Sequence, residues 1–283
     1  MGSETVETIT ISESGDPENK VIIHEKGFVI LLDTMGSDEE VENSARISYG
    51  EGTRKVNQTR NLIRYLMRHR HTSPFEMCEV KFHLKLPIFI MRQLVRHRTA
   101  NLNEYSGRYS VMSDEFYLPE GDYLAKQSTT NKQGREEPLQ NKGSLQFEFN
   151  RIYDNATIAY NVLLEQDLSR ELARAVLPVA NYTECIWKID LHNFFHFVKL
   201  RADGHAQREI RDYADAMYEL VKPNFPLCCE AFEDYRQDAV TFSKQEMDII
   251  RDNIQGSWTM DNYNLSERES TEFLEKIKQG DNE

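Results

Sequence analysis

The side chains best suited to chemistry lie in one stretch of the sequence, Arg96–Arg108. It places three arginines and a histidine beside carboxylate, amide and hydroxyl groups. A guanidinium holds a phosphate through parallel, charge-assisted hydrogen bonds, each contributing about 1.5–3 kcal/mol. Two or three such bonds suffice for micromolar binding of a nucleotide. The stretch therefore predicts a site for a phosphate-bearing ligand.

The residues before this stretch are predicted to form a helix. Pro87 is typical of a helix start, and we expect the helix to continue to about Arg98. Gln93, Arg96 and His97 are three and four residues apart, so they share one face of that helix. The helix would therefore present an amide, a guanidinium and an imidazole side by side.

The polar run Asn101–Tyr109 comes next, and we expect a loop there. Gly107, between Ser106 and Arg108, permits a backbone that lies close to a ligand. The alternative is a plain helix end, at which basic residues complement the helix dipole. That alternative accounts for Arg96–Arg98 but not for the ordered polar run that follows.

Charge is distributed unevenly along the chain. The formal net charge is -13, yet the segment Arg54–Arg108 holds twelve basic and three acidic residues, a local net charge of +9. A negative chain is not expected to bind nucleic acid in general. A concentrated positive segment favours a pocket for a small anion, although a solvated basic face would have the same composition.

The cysteines and histidines predict neither a disulfide framework nor a metal centre. No two cysteines form a C-x-x-C pair, so we expect four reduced and mostly buried thiols. His192 and His196 are four residues apart on a predicted helix, but no acid or cysteine pattern accompanies them, and the H-E-x-x-H motif is absent. The four cysteines are Cys78, Cys185, Cys228 and Cys229.

The predicted strands and helices that must position these residues indicate an α+β fold. We expect a single domain with a mixed or antiparallel sheet flanked by long helices. Strands are expected in a hairpin at Val21–Leu32 and at Glu79–Leu86 and Thr183–Ile189. No G-x-G-x-x-G motif is present, so no Rossmann unit is expected. Helices are expected at Ser37–Ser48, Asn57–His69, Ser144–Gln166, Leu191–Arg201 and His205–Lys222.

Four helix starts are predicted from capping residues. They are Ser37, the capping box at Ser73–Glu76, Ser169 and Asp203. Residues 119–143 are rich in Gly, Asn, Gln and Lys, and we expect a surface insertion there.

The composition along the chain sets the expected domain limits. We expect a disordered tail at 1–19, one domain at 20–237 and peripheral C-terminal helices at 238–283. No apolar run approaches the ~20 residues of a membrane helix, and no secretory signal begins the chain. A cytoplasmic protein without a membrane partner is therefore predicted.

The spacing Arg96-His97-Arg98, seven residues, then Ser106 resembles the signature of the flavin-dependent thymidylate synthases. Asn101 departs from the serine that is frequent in the family, but both are small hydrogen-bonding residues. A longer form of the motif is matched at Asn103, Glu104 and Arg108. Further segments that resemble the family are His71–Glu76, Glu171–Pro178, Asp190–Asn193 and Leu200–Gln207, so the resemblance covers residues 21–235.

The resemblance implies a reaction, the reductive methylation of dUMP to dTMP. The carbon donor would be 5,10-methylenetetrahydrofolate, and the hydride source would be FAD reduced by NADPH. Arg201 would act on the uracil ring by stabilising negative charge. The implied dUMP-binding residues are Gln93, Arg96, Glu104, Tyr105, Ser106, Gly107, Arg108, Arg174 and Arg201. The implied FAD-binding residues are Ser73, Arg96, His97, Arg98, Glu104, Asp190, Leu191, His192 and His196.

The resemblance also implies a homotetramer with FAD sites shared between subunits. His71 and Ser73 would then serve either their own site or a neighbour's. Some relatives have Asn at the position of Asp190, so a side-chain amide donor would be missing here. Ser106 has no base placed for it by the sequence and is therefore assigned to substrate binding, not to nucleophilic attack.

Two other functions stay open on the sequence alone. A nucleic-acid-binding module would use the basic segment, but the chain lacks an aromatic-rich basic platform. A flavin- and nucleotide-binding homologue without catalysis would keep the same motifs. The presence of Arg96, Ser106, Arg174 and Arg201 argues against that loss.

Overall fold

The alternation of apolar and polar residues produces a five-stranded antiparallel sheet. A computed structural model describes residues 19–47, 59–129, 134–253 and 266–278. The strands are β1 (Lys20–Ile23), β2 (Gly27–Met35), β3 (Glu79–Pro87), β4 (Asn101–Glu104), β5 (Ala125–Gln127), β6 (Arg135–Pro138) and β7 (Tyr182–Asp190). The sheet has the order β1-β2-β3-β7-β4, and its neighbouring strands are all antiparallel. The prediction of an α+β fold without a Rossmann unit is confirmed.

The helices lie mostly between and after the strands of this sheet. They are α1 (Asp38–Arg46), α2 (Thr59–Arg68), α3 (Ser73–Glu76), α4 (Ile88–Leu94), α5 (Lys142–Glu165), α6 (Arg170–Ala173), α7 (Leu191–Arg201), α8 (Arg208–Val221), α9 (Pro226–Phe232), α10 (Lys244–Asn253) and α11 (Glu267–Lys278). Short 3-10 turns occur at Gly121–Tyr123 and Arg174–Val176, and a π-helical turn occurs at Glu233–Gln237. No helix within the described ranges is long and apolar enough to cross a membrane.

One face of the sheet carries the hydrophobic core. Along β3, Val80, Phe82 and Leu84 point to this face and are buried. Trp187 on β7 pairs with Phe82 in the register, and their ring centroids are 6.4 Å apart. Phe194 of α7 stacks on Phe82 at 5.7 Å. Full burial of such a side chain stabilises the fold by about 1.5–3 kcal/mol, so this contact holds α7 against the sheet.

α4 ends earlier than the sequence predicts. Its last residue is Leu94, so Arg96 and His97 lie in the following turn and not on the expected helical face. Asn101–Glu104, predicted as part of a loop, forms the edge strand β4 against β7. The free edge of β7 explains this difference, because ladder hydrogen bonds there satisfy backbone groups of the polar segment.

The first two predicted caps have different outcomes. Ser37 caps α1 as expected, because its hydroxyl accepts from the Glu40 amide at 3.4 Å. The prediction of a capping box at Ser73–Glu76 is wrong. α3 is a single turn, and Thr72 occupies the N-cap position without a side-chain hydrogen bond. Pro74 fixes the start of this turn instead, since its ring presets a helical backbone angle.

Neither of the other two predicted capping residues, Ser169 and Asp203, caps its helix with its side chain. Ser169 holds the N-cap position of α6 as predicted, but its side chain makes no cap hydrogen bond. Asp203 does not cap α8, which begins at Arg208. The Asp203 carboxylate instead accepts from the His205 amide at 2.8 Å, which closes a local turn between α7 and α8.

Residues 119–143 are tied into the domain and do more than cover its surface. Their strands β5 and β6 form a hairpin, of which residues 130–133 lie outside the described chain. Leu124 is buried, and Tyr123 donates to Asp212 of α8 at 2.6 Å. Arg135 of β6 donates to Glu209, also on α8, at 2.6 Å. An ion pair from the hairpin and a hydrogen bond from the turn before it therefore anchor this segment to α8.

Some predictions fall on residues that the structure does not describe. The predicted tail at 1–19 lies outside the described residues, apart from residue 19. The same holds for the expected end of α1 near Ser48, the expected start of α2 at Asn57, and the C-terminal residues 254–265 and 279–283.

A cluster of buried charges joins α11 to α2. Arg64 is 3% exposed and donates to Glu269 of α11 at 2.7 Å. Asp234 is a second partner of Arg64, and Arg68 donates to Glu272 at 2.5 Å. A buried guanidinium needs such partners, because an unpaired buried charge is strongly destabilising. Ion pairs therefore hold the C-terminal helix in place.

Glu269→Gln is expected to lower the thermal stability in a pH-dependent manner. Burial raises the pKa of Glu269, but hydrogen bonds from Tyr235 and Ser266 outweigh that effect and lower the pKa to about 2. A carboxylate with a lowered pKa stabilises the fold above its unfolded pKa of 4.5. That stabilisation disappears as the pH falls from about 5 to 2. Loss of one charge-assisted hydrogen bond costs about 1.5–3 kcal/mol.

Thermal unfolding of both proteins between about pH 3 and 8 measures the effect. The variant should melt several degrees below the parent near neutral pH, and the difference should shrink below about pH 5. Glu267→Gln, at an exposed position of the same helix, is the control and should change little. A difference in melting temperature that stays constant across this range would contradict the role of the Glu269 charge.

Candidate active site

A cleft opens where the end of α7 faces the turn that follows α4. Its volume is about 410 Å³. The turn supplies two guanidinium groups and an imidazole, and α7 supplies a third guanidinium and a second imidazole. We call it the arginine cleft. Its lining residues are Arg96, His97, Arg98, Thr99, Ile189, Asn193, His196, Leu200 and Arg201.

The position of α7 is fixed at its first residues. The Asp190 carboxylate accepts from the Asn193 backbone amide at 2.9 Å and from its side-chain amide at 2.8 Å, which caps the helix. Leu191 is fully buried, and its amide donates to the Cys78 carbonyl at 2.9 Å. Asp190 and Leu191 therefore serve the fold, and their contact with FAD stays a prediction.

Within the cleft, Arg201 donates from Nε to Nε2 of His97 at 3.1 Å. Burial, followed by the electrostatic effects of Arg201 and then His196, lowers the pKa of His97 to about 4. The imidazole is therefore neutral at pH 7, and its proton lies on Nδ1 because Nε2 accepts a hydrogen bond.

The Arg201 guanidinium keeps its charge in this environment. Burial and then the nearby Arg96 guanidinium lower the pKa of Arg201. The ordinary value is 12.5, so the group stays protonated at neutral pH. The cleft thus combines guanidinium cations with a neutral imidazole, an arrangement suited to a ligand that carries or develops negative charge.

β4 and the residues after it line a smaller cleft of about 100 Å³, which we call the β4 cleft. Glu104 accepts from the Thr183 hydroxyl at 2.8 Å. A Cβ on Gly107 would lie 2.6 Å from Met112 Sδ and 3.2 Å from Arg174 Cδ. A side chain at this position would therefore displace the Met112 side chain, which lines the cleft. The lining residues are Ile88, Glu104, Tyr105, Gly107, Met112, Arg174, Leu177, Asn181 and Thr183.

Ser106 and Arg108 flank Gly107 at the edge of the β4 cleft. Ser106 Oγ accepts from the Arg108 amide at 3.4 Å. No basic side chain in the described part of the molecule bonds to that hydroxyl, which leaves Ser106 without the base that a nucleophile needs. Arg108 is exposed and lies 3.3 Å from a carboxylate oxygen of Glu171, so its guanidinium is accessible to a ligand.

His196 also lines a second cavity of about 440 Å³, which we call the histidine cavity. This shared residue makes the histidine cavity a neighbour of the arginine cleft. Ser73 is exposed and lines neither of these two cavities nor the β4 cleft. The residues of the histidine cavity are Leu66, Met67, Arg70, His71, Thr72, Phe75, His192, Phe195, His196, Lys199, Phe232, Tyr235, Arg236, Ala239 and Thr241.

The sequence did not single out three polar residues that either line one of these clefts or hydrogen-bond a predicted site residue. Asn193 lines the arginine cleft, and Thr183 hydrogen-bonds Glu104 in the β4 cleft. Gln207 accepts from the side-chain amide of Gln93 at 2.6 Å. Asn193 and Gln207 both lie in segments that carry the family resemblance, and this resemblance could have identified them as site residues. Thr183 is brought to Glu104 by strand pairing alone.

No group of three His, Cys, Asp or Glu side chains in the described ranges is placed to hold a metal ion.

Comparison with known proteins gives a consistent result. The family model described as thymidylate synthase complementing protein matches residues 30–227. A flavin-dependent thymidylate synthase from Treponema denticola is 49% identical over 272 residues, which cover 94% of this chain and 98% of the relative. One from Dictyostelium discoideum is 48% identical and covers 92% of this chain and 86% of the relative. A solved structure, the UMP/dUMP methylase PolB from Streptomyces cacaoi bound with 5-Br dUMP, is 32% identical with a TM-score of 0.70, and the match covers 77% of this chain and 99% of that one.

The matched residues include both clefts. The family match begins in β2 and ends in α9, so it contains the turn Arg96–Arg98, the strand β4 and the end of α7 at Arg201. The relatives also match over most of their own length. From its fold, its clefts and these matches, the chain belongs to the flavin-dependent thymidylate synthase family.

Proposed function

We propose that the protein methylates dUMP to dTMP, with the one-carbon unit from 5,10-methylenetetrahydrofolate and the hydride from FAD that NADPH has reduced. The observation that carries the proposal is the contact between the Arg201 guanidinium and the neutral imidazole of His97 inside the arginine cleft. The names of the relatives support the reaction. The structural relative bound with 5-Br dUMP supports a pyrimidine nucleotide as substrate.

The proposed dUMP-binding residues supply what a nucleoside monophosphate needs. Guanidinium groups bind its phosphate, and amide, hydroxyl and carboxylate groups bind its sugar and base. Within one chain Arg96 and Arg201 line the arginine cleft, and four further members line the β4 cleft: Glu104, Tyr105, Gly107 and Arg174. Gln93, Ser106 and Arg108 line neither cleft. The set comprises Gln93, Arg96, Glu104, Tyr105, Ser106, Gly107, Arg108, Arg174 and Arg201.

The chemistry of the arginine cleft and the histidine cavity fits FAD. Guanidinium groups suit a pyrophosphate and an electron-rich ring, and the aromatic side chains Phe195 and Tyr235 suit a planar ring system. When bound, FAD supplies hydride transfer. The protein's own task is to hold and orient the cofactor. The proposed FAD-binding residues are Ser73, Arg96, His97, Arg98, Glu104, Asp190, Leu191, His192 and His196.

Arg201 is the proposed catalytic residue. C5 of the uracil must become nucleophilic, and negative charge develops on the pyrimidine as it does. A preorganised guanidinium stabilises such charge without further rearrangement. His97 positions this guanidinium, because its Nε2 accepts from Arg201 Nε. The two terminal nitrogen atoms of Arg201 then remain for the substrate.

We also propose a homotetramer with FAD sites shared between subunits. His71 and Ser73 are exposed in the single chain. α5 presents exposed apolar side chains at Phe147, Ile152 and Ile158, which suits a subunit contact. Folate and nicotinamide act as small-molecule partners in this proposal. The cytoplasmic location stays a prediction from the sequence.

Release of label from C5-deuterated dUMP tests the proposed reaction. The purified protein should bind FAD, and anaerobic NADPH should bleach the flavin spectrum. With 5,10-methylenetetrahydrofolate and NADPH present, the protein should release the label and form dTMP. FAD-loaded protein that neither releases label nor forms dTMP would instead be a silent homologue, and the proposal would be wrong.

Arg201→Ala should lower dUMP methylation by about a hundred- to thousand-fold, because a preorganised charge-stabilising donor contributes about 2.7–4 kcal/mol to the barrier. Arg201→Lys should recover only part of the rate, since an ammonium cannot reproduce the planar guanidinium. A purely structural Arg201 at the helix end would contribute only about 0.3–1 kcal/mol.

The measurement is single-turnover dTMP formation with matched FAD content. Matching is needed because Arg201 also contacts His97, a proposed FAD-binding residue. Arg208→Ala is a control, since Arg208 is a nearby arginine that stacks over Tyr123 at 4.1 Å and lines neither cleft. Methylation by Arg201→Ala within a few-fold of the parent would mean that the residue is structural.

No cysteine is expected to attack the uracil ring. Burial raises the pKa of the Cys78 thiol to about 11 and those of Cys185 and Cys229 to about 12. Burial also raises the pKa of Cys228. A nucleophilic thiol needs a lowered pKa. Four single Cys→Ala variants and the combined variant should therefore keep dTMP turnover per bound FAD. Loss of turnover in a variant that folds and binds FAD would contradict this expectation.

A further inference from the structure

A chain of hydrogen bonds runs from the buried Glu209 to Gln93. Glu209 is 1% exposed, in the first turn of α8. One carboxylate oxygen accepts from Arg135 at 2.6 Å and from the Tyr117 hydroxyl at 3.0 Å. The other accepts from Nε2 of Gln207 at 2.9 Å. Gln207 accepts in turn, through Oε1, from Nε2 of Gln93 at 2.6 Å.

The charge of Glu209 determines which group donates and which accepts in each of these hydrogen bonds. Burial raises the pKa of Glu209, but the hydrogen bond and charge of Arg135 outweigh burial and lower it overall, so the group is ionised at neutral pH. An ionised carboxylate only accepts hydrogen bonds. Gln207 must therefore turn its NH₂ group toward Glu209 and its carbonyl oxygen toward Gln93.

The same rule fixes Gln93. Its NH₂ group must face the carbonyl oxygen of Gln207, which leaves its own carbonyl oxygen directed away from the chain of hydrogen bonds. Among the residues that the structure describes, none donates to that oxygen. Gln93 is in the last turn of α4, three residues before Arg96 of the arginine cleft. An oriented acceptor is thus available at the end of α4, in the turn of chain that leads to Arg96.

We propose that Glu209 and Gln207 are positioning residues that fix Gln93 as a hydrogen-bond acceptor for the uracil ring. This inference rests on the proposed function, in which Gln93 binds dUMP. Uracil has one ring donor, N3–H, between two carbonyl oxygens. Cytosine has an acceptor at N3 and an amino group at C4. In this proposal the Gln93 oxygen meets ring position 3, where uracil has a donor and cytosine has an acceptor. An acceptor fixed there selects uracil against cytosine, and the buried carboxylate determines that choice.

Glu209→Gln keeps the shape of the side chain but exchanges donor and acceptor in each hydrogen bond from residue 209 to Gln93. The new amide has one oxygen, and that oxygen must face the two donors Arg135 and Tyr117. Its NH₂ group then faces Gln207, which must turn over to accept. Gln207 next presents its NH₂ group to Gln93, and Gln93 turns its own NH₂ group to the ligand. The base would meet a donor in place of an acceptor.

The first measurement is the dissociation constant of dUMP and of dCMP, obtained by titrating the FAD-loaded protein. The parent should prefer dUMP. In Glu209→Gln the ratio of the dCMP constant to the dUMP constant should fall at least tenfold, a factor that corresponds to about 1.4 kcal/mol. Tyr117→Phe is the matched control, because it removes a hydrogen bond from the same carboxylate but leaves Glu209 an acceptor. In Tyr117→Phe the ratio of the two dissociation constants should equal that of the parent.

The second measurement is a stability cycle that needs no nucleotide. Gln93→Glu should lower the melting temperature of the parent, because the new carboxylate faces the carbonyl oxygen of Gln207. In the Glu209→Gln background the same change should cost little, since Gln207 now presents its NH₂ group. This coupling would not arise if Glu209 acted only through packing.

The outcomes separate the inference from the proposed function. If the parent binds no dUMP, the proposed function fails and the inference with it. If the parent prefers dUMP and Glu209→Gln keeps the same ratio, the inference alone is wrong. Should Glu209→Gln not fold, Gln207→Leu breaks the chain at its centre and should also lower the ratio, whereas an unchanged ratio would overturn the inference.

Discussion

The pairing of β7 with β3 on one side and with β4 on the other is the constraint on which both clefts depend. The register with β3 ends at Glu79 opposite Asp190, and Asp190 then caps α7. The end of α7, with Arg201, is therefore positioned from the end of the strand. On the other side, Glu104 lies opposite Cys185, which brings it within 2.8 Å of Thr183. A one-residue slip of β7 would reverse its faces and dismantle both arrangements.

The strands next to this pairing could be predicted, and the edge strand could not. In β3, and in β7 from Cys185 onward, every second residue is apolar and buried, because one face of the sheet is covered. All four residues of β4 are exposed and its sequence has no such alternation, so only the free edge of β7 determines that it is a strand. The end of α4 was missed for a related reason, since Arg96 and His97 are compatible with a helix and the chain must leave it to reach that edge.

The basic segment Arg54–Arg108 shows why composition left two interpretations open. Part of its charge is structural, because the buried Arg64 and the half-buried Arg68 have carboxylate partners and Lys85 pairs with Glu115 at 2.6 Å. Arg96 and Arg98 differ, since neither has a carboxylate partner among the described residues, and both line the arginine cleft. Residue types and spacing predicted the second group as candidates for ligand binding, and their role stays a prediction. Which basic residue belongs to which group is decided by tertiary contacts that join distant segments, and a single sequence does not show these.

The side chains that orient Arg201 and Gln93 contact them through uncharged groups. Arg201 is held by the uncharged Nε2 of His97, and Gln93 is held by the amide of Gln207. A carboxylate in place of His97 would hold Arg201 equally well, but it would cancel much of the positive potential that the guanidinium offers to a ligand. The buried charge of Glu209 lies one residue further away and is neutralised by Arg135. The fold thus fixes the directions of the polar groups with neutral neighbours, and it leaves the net charge of the arginine cleft available to the anionic ligands for which its chemistry is suited.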